Sequence, residues 1–282
     1  MNFFKPYFDS NTNSCPVYLF KYISFDKQKN IEDILILNQL YFSLPSEFSQ
    51  NDVLDSRTYN IVIKSKEDRR QWIKAEINAK HSALPRFQRK KILRSKVHEH
   101  KDPNSLFYRQ RIDNLNRIFK ERVNKSRVCC FCVTDSPDRT DMWKQYIPSG
   151  QGVSIKLNIE IIVKQLATSV ISNSNISPHL FYLQPVNYVS SPLEISFCDL
   201  LRAEPLSLGI TLLYTKLSSF AFEQEWRFSI YDCIDQSIPF PPEFIEEVIL
   251  GPNVTEAQIK LVEDWDNGRS ISFKICKNKN KY

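Results

Sequence analysis

A strongly basic stretch between residues 64 and 127 separates two groups of apolar segments. The stretch holds 20 Lys or Arg and 7 Asp or Glu, so its net charge is +13, whereas the rest of the chain carries −7. Apolar residues recur in it at spacings of three and four, the period of an amphipathic helix; they are Trp72, Ile73, Ile77, Phe107, Ile112, Leu115, Ile118 and Phe119. We therefore predict a basic helical insert at about 64–127, with strands in the segments that flank it.

Short segments on both sides of the insert are typical of strands, because they are apolar or alternate between apolar and polar residues. They are 17–22, 40–43, 127–134, 152–157, 186–189, 228–231, 248–250 and 271–275. Helices are predicted from an N-cap at Asn30 through Leu37, and after a capping box formed by Thr255 and Gln258. Strands and helices do not alternate regularly. The predicted fold class is therefore α+β, with a mixed or antiparallel sheet, flanking helices and the basic insert, in a single domain over residues 1–282.

The composition excludes several classes of protein. Only 5 glycines occur, and no glycine-rich phosphate-binding loop of the kinase, NTPase or Rossmann type is present. No apolar run reaches the roughly 18–20 residues of a membrane span, so no membrane partner is predicted. The amino terminus lacks the pattern of a secretory signal, and the seven cysteines are irregularly spaced. We expect free thiols and a cytoplasmic location.

A metal site is not predicted. The four histidines are scattered along the chain, and none has a partner four residues away. Cys129, Cys130 and Cys132 are close together, but a second half of a zinc site is missing. Because valine and phenylalanine flank them, we interpret these cysteines as thiols buried in a strand.

The most suggestive group of polar residues lies between Phe220 and Tyr231. Read as one strand, this segment places alternate residues on opposite faces. One face holds the predicted core residues Phe222, Gln224, Trp226, Phe228 and Ile230, and the other holds Glu223, Glu225, Arg227, Ser229 and Tyr231. The second face is either a sheet surface with ion pairs or a catalytic pair of glutamates beside an arginine. In the catalytic case one acid stabilises positive charge and the other handles a proton.

Two aromatic residues form a second candidate group. Trp143 and Tyr146 are three residues apart, so they share one side of a helical turn. Such a pair is either part of the core or a flat platform for a planar ring such as nicotinamide or a base.

Several short motifs together resemble a known family. They are Tyr18–Tyr22, Leu40–Phe48, Asn51–Asp52, Cys130–Cys132, Met142-Trp143-x-x-Tyr146, Gly152–Ile155, Val186-x-Tyr188, Phe222–Arg227 and Val248–Gly251. Their order is similar to that of the bacterial domain-of-unknown-function family 2971, over nearly the whole chain except the insert. The chain departs where that family reads Phe-Asn-Asp-Pro, because Phe48–Val53 has two additional residues and no proline.

The order of a first strand, a helix, an aromatic-Ser strand and a later E-x-E strand also resembles, more loosely, the layout of ADP-ribosyltransferases. The resemblance implies that Glu225 stabilises the oxocarbenium-like transition state, that Glu223 activates the acceptor and that Ser43 supports the site. Lys21 or Tyr22 would occupy the first-strand position, where those enzymes usually have Arg or His. NAD would then be a substrate.

Three hypotheses about function follow. The first is a toxin-like effector, an NAD-consuming transferase that acts on nucleic acid or protein. The second is a metal-dependent nuclease in which Glu223, Glu225 and Asp52 or Asp55 hold a divalent cation. The third is a noncatalytic module whose insert binds nucleic acid or another polyanion, since clustered Lys and Arg release counterions on binding. The insert is also interpretable as an ordinary solvated helical surface.

Overall fold

The computed structural model describes residues 16–44, 59–102, 106–123, 126–132, 140–164, 181–202, 211–231 and 237–278. These residues divide into two compact units. The sheet unit comprises 16–44, 126–132, 140–164, 181–188, 219–231 and 237–278, and the helical unit comprises 59–102, 106–123, 189–202 and 211–218. Compact units of this kind also occur inside one domain, so the single domain over 1–282 stays a prediction.

The strands, in chain order, are β1 (Tyr18–Ser24), β2 (Gln39–Tyr41), β3 (Tyr59–Val62), β4 (Ser126–Cys132), β5 (Gly152–Asn158), β6 (Phe181–Pro185), β7 (Asn187–Val189), β8 (Leu193–Ser196), β9 (Thr215–Leu217), β10 (Glu225–Tyr231), β11 (Ser237–Pro239), β12 (Ile245–Leu250) and β13 (Lys274–Lys277). The helices with defined bounds are α1 (Gln28–Leu35), α2 (Lys66–Lys80), α3 (Arg86–Glu99), α4 (Leu106–Val123), α5 (Thr140–Tyr146), α6 (Phe197–Arg202) and α7 (Glu256–Asn267). None of the helices in the described ranges is both long and apolar enough to cross a membrane.

A seven-stranded mixed sheet forms the centre of the sheet unit. Its strand order is β13-β12-β5-β1-β4-β10-β6. The β12–β13 pair is parallel, whereas β5 pairs with β1 and β12, and β10 pairs with β4 and β6, in antiparallel fashion. This arrangement confirms the predicted α+β class.

Helices cover both faces of this sheet. On one face α1 and α7 bury Ile31, Leu35, Ile259 and Val262 against a core that includes Phe228. On the opposite face α5 contributes Met142 and Trp143 to a smaller cluster that contains Phe20, Tyr22, Ile147 and Ile249. Because β1 alternates, Leu19 and Ile23 join the first core while Phe20 and Tyr22 join the second.

Two glycines let adjacent loops of the sheet unit approach closely. Gly150 has φ +70°, which lies in the left-handed region that favours glycine. A Cβ added to Gly251 would overlap the carbonyl oxygen of Gly150 and lie 3.1 Å from the Trp143 ring. The loops after α5 and β12 therefore pack backbone to backbone.

One arginine ties loops of the sheet unit together. The guanidinium of Arg269 donates hydrogen bonds to the carbonyl oxygens of Leu35 and Pro242 and to the side-chain oxygen of Asn38. These acceptors lie at the end of α1, just after it and before β12, so a single half-buried cation joins segments that are distant in sequence.

The helical unit is built around the start of α2. Ser65 and Asp68 form a capping box, and the other carboxylate oxygen of Asp68 accepts the Cys198 backbone N–H at 3.0 Å. Burial raises the pKa of Asp68, but hydrogen bonds from Cys198, Ser65 and Lys64 outweigh it, and the net pKa is lower than the ordinary value. The carboxylate therefore joins the first turns of α2 and α6.

The apolar face of the insert packs as the helical period predicts. Trp72, Ile73 and Ile77 are buried in α2. The Trp72 ring lies 4.4 Å from Phe197 and 6.2 Å from Tyr108 between centroids, in α6 and α4. The insert forms three helices, and β3 pairs in parallel with β8, which comes from 189–202. β4 begins at Ser126, next to the predicted end of the insert at about residue 127.

Two predicted element boundaries are wrong. Asn30 lies inside α1 instead of capping it, because a 3-10 turn over Phe25–Lys27, capped by Ser24, has already started the helical path. The last strand begins at Lys274, and Ile271 is exposed rather than paired.

Candidate functional site

Glu225 and Arg227 form a buried ion pair on β10. The Arg227 Nε lies 2.6 Å from Glu225 Oε1, and Nη2 lies 3.1 Å from Oε2. Both side chains are only 2% exposed. Residues two apart on a strand point to the same face, which lets the guanidinium meet the carboxylate with two hydrogen bonds. Each charge therefore compensates the other where water is excluded.

The backbone of Glu225 is held as firmly as its side chain. Its N–H donates to the Tyr188 hydroxyl at 2.8 Å, and its carbonyl oxygen accepts the N–H of Val186 at 2.8 Å. The short segment of residues 186–188 thus fixes the first residue of β10. The sequence contained Tyr188 in one of its motifs, but nothing in the sequence pointed to this contact.

Glu223 does not share a strand face with Glu225, so that prediction is wrong. Residues Ser218–Glu223 form a 3-10 helix, and β10 begins only at Glu225. Gln224 between them has φ +46°, a left-handed conformation that breaks the alternation of a strand. Glu223 is 1% exposed within the 3-10 helix.

The predicted core face of this segment is right only from Trp226 onward. Trp226, Phe228 and Ile230 are buried in the main core, whereas Gln224 is exposed. Phe222 is half-buried and packs against the cluster around Trp143. Ser229 is buried, and the Tyr231 side chain lies outside the described residues.

Three of the predicted aromatic residues lie together. The Tyr22 ring is 5.4 Å from Trp143 at an interplanar angle of 86°, and 6.1 Å from Tyr146 at 25°. Phe20 pairs with Cys132, which pairs with Glu225, so the aromatic cluster and Glu225 share one face of the sheet. Two strand spacings separate Phe20 from Glu225, a distance of about 10 Å. Trp143 is completely buried, which makes it a core residue.

Lys21 does not join this face, and Ser43 lies outside the strands of the seven-stranded sheet. Lys21 pairs with Ile155 and alternates with Tyr22, so its Cβ points to the opposite side of the sheet. Ser43 lies two residues beyond β2, a strand that pairs with β11 in a separate two-stranded sheet.

The described residues contain no group of three or more His, Cys, Asp or Glu side chains arranged to hold a metal ion. Asp52 and Asp55, either of which the nuclease hypothesis adds to the two glutamates, lie outside the described residues, as do the side chains of Cys129, Cys130 and Cys132.

The helical unit carries a large groove between α2 and α3, which we call the basic groove. Its volume is about 910 Å³. Five basic side chains and one carboxylate line it; they are Arg70, Lys74, Arg86, Arg89, Lys90 and Glu67, together with Gln71, Ile77, Asn78, Phe87 and Leu93. A strong positive potential follows from this excess of cations along a concave surface.

Most cations of the basic groove are not neutralised. Arg70 lies 3.9 Å from Glu67, but both side chains are more than half exposed, so the pair contributes little. Arg89 donates to the Asn78 side-chain oxygen at 2.9 Å. Within the described parts of the chain, Lys74 and Lys90 form no ion pair.

Helix α3 itself makes no contribution to the core. Within its fully described range no residue is buried, although the helix has 14 residues. It carries six basic residues, Arg86, Arg89, Lys90, Lys91, Arg94 and Lys96, and only one acidic residue, Glu99. The sequence indicated the charge but not the weak burial, because Phe87, Ile92, Leu93 and Val97 are apolar; Phe87 is exposed and the other three are half-buried.

No protein-family model, curated protein or solved structure matches the chain. The resemblances to family 2971 and to the ADP-ribosyltransferases therefore stay predictions.

Proposed function

We propose that the protein binds a polyanion, specifically nucleic acid, in the basic groove. The observation that supports this proposal is α3, a 14-residue helix that buries no residue and carries six basic side chains against one acidic. Most helices in proteins owe their stability to an apolar face packed on the core. In α3 the apolar residues Ile92, Leu93 and Val97 are only half-buried. A weakly buried helix that concentrates one sign of charge is suited to a partner of the opposite charge.

Binding should depend steeply on salt. Each phosphate that a Lys or Arg neutralises releases counterions, so binding weakens as the salt concentration rises. For every tenfold rise in salt, the logarithm of the binding constant falls by about 0.9 per phosphate contact with duplex DNA and by about 0.7 per contact with a single strand. If the five cations of the groove each contact one phosphate, the slope is roughly −3.5 to −4.5.

The test is fluorescence anisotropy of labelled oligonucleotides at several salt concentrations. The variant Lys74→Gln/Lys90→Gln removes two groove cations, and Lys27→Gln/Lys260→Gln removes two exposed cations of the sheet unit as a control of equal charge. We expect the groove variant to reduce the slope by roughly 1.5 and the control to leave it almost unchanged. Equal weakening by both variants, or no binding by the wild type at low salt, would contradict the proposal.

We propose as a second candidate the NAD-consuming transferase in which Glu225 acts on the nicotinamide ribose. The observation that favours it is the common sheet face of Glu225, Tyr22 and Tyr146. The bidentate contact with Arg227 counts against it, because that contact occupies both carboxylate oxygens. Nicotinamide release from NAD by the wild type and its loss in Glu225→Gln, with the fold retained by circular dichroism, would support this candidate. No release under any condition would remove it.

A further inference from the structure

One aromatic side chain stands out on the wall of the basic groove. Phe87 is 71% exposed, and it is the most exposed large hydrophobic side chain among the described residues. It occupies the first turn of α3, next to Arg86 and three residues before Lys90. Single exposed apolar residues are common on protein surfaces. This one is unusual because it lies in a groove that is otherwise lined mainly by cations.

We propose, on the basis of the function proposed above, that the basic groove selects single-stranded nucleic acid by stacking an unpaired base on Phe87. Cations that contact phosphates give affinity but do not distinguish a single strand from a duplex. The flat faces of bases in a duplex are covered by their neighbours, whereas an unpaired base can lie on an aromatic ring. An exposed ring among phosphate-binding cations is the combination that single strands require.

The spacing of the cations around Phe87 fits this mode of binding. Arg86 and Lys90 are four residues apart in α3, so their Cβ atoms lie about 5–6 Å from each other on one side of the helix. Phe87 lies between them in sequence, and Lys74 faces the groove from α2. Phosphates on both sides of a stacked base can therefore be neutralised at the same time.

The size of the groove also favours a single strand. Its volume of about 910 Å³ is close to the upper end of small-molecule pockets, about 300–1,000 Å³. A few nucleotides of single strand fit into such a space, whereas a duplex can only lie across its edges.

The experiment measures the affinity of the full-length protein for a labelled oligo-deoxythymidine and for a duplex of the same length, at one moderate salt concentration. Phe87→Leu keeps an apolar side chain but removes the ring, and Phe87→Trp keeps a ring. Leu106→Ala, at a residue that is 69% exposed in α4, is the matched control for loss of an exposed apolar side chain. Because Phe87 is exposed, none of these changes should unfold the protein.

We expect the wild type to prefer the single strand and Phe87→Leu to lose about 5- to 150-fold in affinity for it, which corresponds to a stacking free energy of about 1–3 kcal/mol per base. Affinity for the duplex should not change. Phe87→Trp should retain binding, and the stacked base should quench the fluorescence of the new tryptophan. Leu106→Ala should bind as the wild type does.

The alternative outcomes separate the inference from the function on which it rests. If the protein binds both probes with equal affinity and Phe87→Leu binds them equally well, base stacking is overturned. The proposal that the groove binds polyanions would then still hold. No binding of either probe would remove both. Binding of vesicles that contain phosphatidylserine, lost in Phe87→Leu, without binding of oligonucleotide would identify a membrane surface as the partner and overturn the inference.

Discussion

Replacing Arg227 with methionine would leave the carboxylate of Glu225 buried without its guanidinium partner. Arg227 binds both oxygens of that carboxylate, at 2.6 and 3.1 Å, and the carboxylate is 2% exposed. Removal of one partner from a buried ion pair costs about 3–5 kcal/mol of unfolding free energy. For a chain of this size the midpoint of thermal unfolding should fall by roughly 6–15 °C.

The double variant Glu225→Met/Arg227→Met should recover most of this loss. It removes both charges and replaces them with apolar side chains of similar length, a change that is often neutral or stabilising in protein interiors. Urea unfolding of the wild type, both single variants and the double variant at neutral pH gives the coupling free energy.

The ion pair between Arg117 and Glu121 is a matched control, because it has the same 2.6 Å separation but both side chains are about 60% exposed. Its disruption should cost no more than about 0.5 kcal/mol. An Arg227→Met variant within about 0.5 kcal/mol of the wild type would refute the structural interpretation of the pair. Glu225 would then be stable without Arg227, and its carboxylate would be available for chemistry.

Three other changes test the packing of both units. Asp68→Asn should destabilise the protein by about 2 kcal/mol near neutral pH. Hydrogen bonds hold the folded-state pKa of Asp68 below its ordinary value, so this difference should vanish in urea unfolding as the pH falls through the folded-state pKa. A difference that stays constant with pH would contradict this reasoning. Thr255→Ala should cost about 1 kcal/mol, because Thr255 accepts the Gln258 N–H, while Thr255→Ser should be nearly neutral in thermal unfolding. Arg269→Met should cost about 1–3 kcal/mol in urea unfolding, since three partly buried oxygens lose their donor. A neutral result would show that water replaces the guanidinium.

The elements that could be predicted from sequence are those with a local physical cause. The capping box at Thr255 and Gln258 is confirmed, because two side chains three residues apart satisfy the free N–H groups of the first turn. β5 and β12 are confirmed because β5 alternates between apolar and polar residues and β12 ends in the apolar run Val248–Leu250. The apolar face of α2 follows directly from the helical period.

The remaining elements depend on contacts that no short segment reveals. β3 and β8 are four residues each and stabilise one another from positions more than a hundred residues apart. The break before β10 has no local signal either, because glutamine is not a residue type expected at positive φ. Glu225 and Arg227 could be placed on one face from their spacing, but their burial and the contact with Tyr188 could not.

The position of β13 at one end of the seven-stranded sheet has a consequence for self-association. Within the described strands β13 pairs only with β12, so its other edge presents backbone hydrogen-bonding groups to which a strand of another molecule could add. Lys274 and Lys277 stand at its two ends and are exposed. If β13 of a second copy paired with this edge, the ammonium groups of both lysines would lose water and lie close to the lysines of the second copy. The lysines of this strand therefore protect the edge of the sheet from aggregation.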